Sequence, residues 1–116
     1  MSRALVAIVL SVLTVPSGAA FAAFAAGDAV AGDAGAGKTK AAVCAACHGP
    51  TGRSANDAWP NLAGQKLPYL VKQLKAFRDG TRTNPLMSPM ATTLSDADIE
   101  DLAAWFSSQQ VDAIAQ

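Results

Sequence analysis

Two cysteines and one histidine are all that this chain of 116 residues contains of those types, and all three lie in the pentapeptide Cys44-Ala45-Ala46-Cys47-His48. The C-x-x-C-H spacing is that of covalent c-type haem attachment. Two thiols three residues apart on one helical turn can each add to a haem vinyl group. The adjacent imidazole then lies beneath the iron and can bind it. Three other chemistries compete for these residues. A thioredoxin-like disulfide sits in a βαβ setting, and no strand pattern surrounds the motif. A structural zinc ion usually takes four Cys or His ligands, and the chain has three. A plain stabilising disulfide would leave His48 an ordinary surface residue. Covalent haem is the reading that uses the whole pentapeptide.

A sixth ligand for the iron is sought among the methionines. Met87 and Met90 both fall in residues 81–94, a stretch that Pro85 and Pro89 stiffen. A methionine held in such a loop is suited to bind iron. Methionine also fills gaps in cores, and that reading must hold for at least one of the two. A second histidine ligand is excluded, because His48 has no companion.

The elements that must position these residues follow from the rest of the chain. Its length predicts one domain. Formal charge is balanced at zero, which gives no reason to expect nucleic-acid binding. Residues 1–25 read as a secretory signal peptide: Arg3, an apolar run over 4–15, a Pro16-Ser17-Gly18 break, and Ala23-Phe24-Ala25 as an A-x-A cleavage site. An uncleaved anchor is the alternative, but the second half of the stretch is weakly apolar and broken. Cleavage predicts a new N-terminus at Ala26, a formal charge of −1 without Arg3, and no stable membrane insertion. An exported, oxidising compartment, the periplasm in a bacterium, is the expected location.

Residues 26–36 are small and without apolar period, and are predicted to be a flexible lead-in. A first helix is expected over 37–47, ended by His48-Gly49-Pro50. Residues 49–66 carry turn chemistry throughout. A loop of that length makes sense if it wraps a cofactor, with Trp59 and Leu62 packing on something nearby. A second helix is predicted over 67–78, with Pro68 in its first turn. Leu67, Leu70, Val71, Leu74 and Phe77 share one face, and Lys66, Lys72, Lys75 and Arg78 give it a basic outer surface suited to steer an acidic partner. The last helix opens at Ser95 in a capping-box pattern. It carries Ile99, Leu102, Ala103 and Phe106 on one stripe, and residues 111–116 are expected to fray.

Taken together, these segments resemble a class I cytochrome c, most closely the bacterial c553 type and the single domains of cytochromes c4. The resemblance covers about residues 26–110 and rests on CAACHG, WPNLAGQ, YLVKQLKAFRDGTRTN, the methionine loop and LSDADIEDLAAWFSSQ. It implies an all-α fold, with three main helices and loops wrapped around one haem over residues 37–110. It also implies that Cys44 and Cys47 carry the thioethers and that His48 is the proximal iron ligand, with the Pro60 carbonyl on the other imidazole nitrogen. The distal ligand commonly stands seven residues before the leucine of the LSD segment, which from Leu94 is Met87; Met90 is the alternative. The last helix would pack Trp105 or Phe106 on the Gly37/Ala41 surface. A c4 protein has two such motifs and this sequence has one, so a single haem c is expected.

The function these features imply is one-electron transfer in the periplasm. A His/Met iron has no open position for substrate, so the chain is expected to be a carrier between redox partner proteins and not an enzyme. Two alternatives remain. One is a dedicated cytochrome subunit of a periplasmic dehydrogenase. The other is a sensor or enzyme with five-coordinate haem, which requires that neither methionine binds iron.

Overall fold

A computed structural model describes residues 32–111. The proposed leader, residues 26–31 and residues 112–116 lie outside the described residues. The elements are α1 (Ala34–Lys40), a 3₁₀ turn (Ala41–Val43), α2 (Ala45–His48), α3 (Leu67–Asp79), α4 (Met87–Ala91) and α5 (Asp96–Ser108). No strand occurs among the described residues, and the all-α class stands.

The first helix begins at Ala34, not Gly37. Asp33 is its cap, with its side-chain oxygen accepting from the Gly35 and Ala36 N–H groups at 2.7 and 3.1 Å. A cap of this kind contributes about 1 kcal/mol, enough to start a helix in small residues that carry no apolar signal. Residues 33–36, expected in the flexible lead-in, therefore belong to the folded domain. The helix also does not run unbroken to Cys47. Ala41, at ψ −8°, tightens it into the 3₁₀ turn, and Cys44 N–H then donates to the Ala41 carbonyl at 2.9 Å.

Helices α1 and α5 cross closely because α1 is made of small residues. A Cβ on Gly37 would collide with the Asp101 carbonyl and lie 2.8 Å from Trp105 Cβ. Trp105 thus sits against Gly37, as the resemblance implied. Lys40 Nζ clasps the crossing through Asp98 Oδ1 (2.7 Å) and Asp101 Oδ2 (2.6 Å). Asp101 also accepts from the Asp33 N–H at 2.7 Å.

The core stripe of α5 is buried as its spacing predicts: Ile99, Leu102, Ala103 and Phe106. Its capping box is complete, with Ser95 and Asp98 exchanging side-chain and backbone hydrogen bonds. Helix α3 buries Leu70 and Phe77 and ends at Gly80 in the left-handed conformation (φ 79°). Two of its expected surface cations are tied down. Arg78 Nη1 lies 2.7 Å and Lys75 Nζ 3.6 Å from Asp96, at the start of α5. Lys66 and Lys72 remain exposed.

The stretch 81–94 is not wholly irregular, because α4 forms inside it. Asn84 Oδ1 accepts from the Leu86 and Met87 N–H groups at 2.9 and 3.0 Å. That pre-forms the first turn, and Pro89 still falls early enough in the helix to be tolerated.

Candidate haem site

Between α2, α3, α4, α5 and the 49–66 loop lies a cavity of about 670 Å³. Its wall is mostly apolar: Trp59, Pro60 and Leu62 from the loop, Leu70, Leu74 and Phe77 from α3, Leu102 and Phe106 from α5. Cys44, Cys47 and His48 line it on one side, and Met87 and Met90 line it from α4. All the site residues singled out in the sequence thus border one space.

His48 is 5% exposed and is the one polar side chain in the buried core of the described residues. Its Nδ1 lies 2.8 Å from the Pro60 carbonyl oxygen. A carbonyl can only accept, so Nδ1 is the donor, and in the neutral ring the lone pair is left on Nε2. The Pro60 carbonyl is held in turn by the folding of its loop. Leu62 and Ala63 N–H groups donate to the Gly52 carbonyl at 2.7 and 3.1 Å, and Gly64 N–H donates to Phe106 at 2.9 Å. Ser54 bridges the loop, with its N–H on Asn61 Oδ1 (2.7 Å) and its hydroxyl on the Cys47 carbonyl (3.3 Å). Gly52 (φ 84°) is required there, since a Cβ would stand 2.7 Å from the Phe106 ring.

Cys44 and Cys47 are both free thiols, half-buried at the cavity wall. Burial, with Cys47 beside it, pushes the Cys44 thiol above its ordinary range. The two methionines stand three residues apart on α4. Met87 is half-buried, whereas Met90 is 45% exposed. The donor set suits a haem: two unpaired thiols, an imidazole with an oriented ring, two thioethers on the wall of a mainly apolar cavity, and no carboxylate on that wall. Among the described residues, no cluster of three His, Cys, Asp or Glu side chains suits a bare metal ion.

The cavity also shows residues that sequence reasoning passed over. Gln65, Gln73, Arg82 and Asn84 add polar groups to its wall. Gln73 had a signal, since it falls between Leu70 and Phe77 on the apolar stripe of α3, where a polar side chain needs a reason.

Comparison with known proteins decides what this cavity is for. The sequence profile of cytochrome c matches residues 33–110. The chain belongs to the cytochrome c family. This cytochrome is 51% identical over 83 residues to cytochrome c-554(548) of Halomonas halodenitrificans, covering 69% of the present chain and 100% of that one. The crystal structure of reduced recombinant cytochrome c4 from Pseudomonas stutzeri superposes with a TM-score of 0.66 at 47% identity, over 69% of this chain and 47% of that one. A third relative, the thiosulfate dehydrogenase electron acceptor of Stutzerimonas stutzeri, is 44% identical over 66 residues, or 54% of this chain and 31% of that one. The chain therefore spans the whole of one relative and less than half of the other two. The cytochrome carries haem c, with its iron, as an electron-transfer protein and not an enzyme, on the class I fold. No described helix is long and apolar enough to cross a membrane.

Proposed function

We propose that this cytochrome is a periplasmic one-electron carrier with a single haem, held by thioethers to Cys44 and Cys47 and ligated by His48 and Met87. The observation that carries the reading is the hydrogen bond from His48 Nδ1 to Pro60, 2.8 Å long, inside a cavity walled by both thiols. It commits the ring to one tautomer and one orientation, as partners of metal-binding histidines do. Bound there, the haem supplies a reversible one-electron couple, which His/Met ligation sets at a higher potential than two histidines would.

The protein residues do the rest. Trp59, Leu70, Phe77 and Phe106 exclude water from the cavity. Met87 is favoured over Met90 because it is the less exposed of the two and stands seven residues before Leu94. Val43, Tyr69, Leu86 and Met90 line the cavity yet are 45–65% exposed. They form an apolar rim at its mouth, suited to brief contact with a donor or acceptor protein. The relative named as a thiosulfate dehydrogenase electron acceptor supports a second reading, in which a periplasmic dehydrogenase is the dedicated donor.

Absorption spectra of the exported protein, oxidised and reduced, test the reading. The expected result is a c-type reduced spectrum, the weak far-red band of methionine on ferric iron, and a mature N-terminus at Ala26. A c-type spectrum lacking that band and altered by carbon monoxide would overturn the Met87 assignment. Absence of haem would overturn the whole proposal. Co-purification with a dehydrogenase in fixed stoichiometry would favour the subunit reading over the free carrier.

A further inference from the structure

We propose that Arg82 forms an ion pair with a propionate carboxylate of the haem, with Gln73 and Phe77 holding its guanidinium in place. The inference rests on the reading of the cavity as the haem site. A haem carries two carboxylates, and an ionised carboxylate taken from water is costly unless it is paired and hydrogen-bonded. Among the residues lining this cavity, Arg82 is the one side chain that is positively charged at every physiological pH; the other titratable groups there are Cys44, Cys47, His48 and Tyr69. Its position at the exposed rim suits groups that keep some contact with water.

The chain goes to some length to place this cation. Gly80 reverses the backbone at the end of α3, and the Arg82 N–H then donates back to the Ala76 carbonyl at 3.0 Å. The side chain folds onto α3, with Nη1 donating to Gln73 Oε1 at 2.6 Å and the guanidinium 4.5 Å from the Phe77 ring centroid. No carboxylate of the described residues pairs with it, whereas Arg78, Lys40 and Lys75 each have one. A guanidinium has five N–H donors in a fork that matches a carboxylate, and Gln73 occupies one. Asn84 adds a second donor to the same wall: its Oδ1 is used by the Leu86 and Met87 N–H groups, which leaves its amide hydrogens for an acceptor.

The test is redox potentiometry of the holoprotein across pH 5–9, with redox-induced infrared difference spectra in the carboxylate region. Native protein is compared with Arg82→Gln, Arg82→Lys, Gln73→Leu and, as a control of equal charge change outside the cavity, Lys38→Gln. An adjacent cation holds a carboxylate's pKa down by about one unit or more. The fall of potential with pH that accompanies propionate ionisation should therefore begin about one unit higher in Arg82→Gln, with altered carboxylate bands. Lys38→Gln should follow the native curve. Should Arg82→Gln fail to mature, Arg82→Lys and Gln73→Leu are expected to shift the curve the same way by less. Native profiles and carboxylate bands in the Arg82 and Gln73 variants that mature would overturn the ion pair while leaving the haem assignment intact. A native chain without haem would instead overturn the reading beneath it.

Discussion

Lys40 on α1 and Asp101 on α5 meet at 2.6 Å, and Asp98 takes the same ammonium from the next turn at 2.7 Å. This joins the two ends of the domain by charge. Lys40 holds both carboxyls below the usual carboxylate range, and they hold the Lys40 ammonium above its own. Depressed carboxyls contribute stability that is present above their unfolded pKa, about 4, and lost as pH falls through the folded values. The raised lysine contributes below its unfolded value and loses its contribution as pH rises through the folded one. Lys40→Met should therefore lower Tm by a few degrees between about pH 5 and 10. The gap from native should close in stronger acid and in strong base, as measured by thermal melts across pH.

Gly37→Ala should be costly, because this helix glycine is buried at the α1–α5 crossing. Alanine is the better helix former, yet its Cβ would run into the Asp101 carbonyl and approach Trp105. Overpacking of this kind costs about 1–3 kcal/mol. Denaturant unfolding of the holoprotein should show a lower midpoint with the haem spectrum unchanged.

Met87→Ala should remove the far-red methionine band and open the ferrous iron to carbon monoxide. Met90→Ala, at an exposed position on the same helix, should leave both readouts as they are. The reverse pattern would transfer the ligand role to Met90.

Asn84→Ala should loosen α4, since it removes the acceptor shared by the Leu86 and Met87 N–H groups. The loss is comparable to that of a helix cap, about 1 kcal/mol. On heating, the far-red band should disappear at a lower temperature than in the native protein, ahead of global unfolding.

Much of this architecture was legible in the residue pattern, and the exceptions have physical reasons. Helices α3 and α5 announce themselves by apolar residues at helical spacing, and the Cys44–His48 motif by residue types that serve little else. The start at Ala34 was hidden because Asp33 acts through hydrogen bonds to a stretch with no apolar face. The 3₁₀ turn at Ala41 was hidden because alanine suits either helical geometry. The short α4 depends on Asn84, whose side chain replaces the propensity that Pro85 and Pro89 remove. Arg82 drew no reading from the sequence, since its fold back onto Gln73 and Phe77 is a tertiary event.

The cavity is closed from the far end of the chain. Cys44, Cys47 and His48 come early, whereas Leu102 and Phe106 sit on α5, the last of the described elements in chain order. A chain threaded across a membrane from its N-terminus presents both thiols before the helix that walls them in has crossed. The crossing of α1 and α5, sealed by Lys40, is then a latch that shuts after the attachment motif has been displayed. If the chain is exported in that order, maturation has a natural interval in which the thiols stand open, one that a circular permutant beginning at α5 would forfeit.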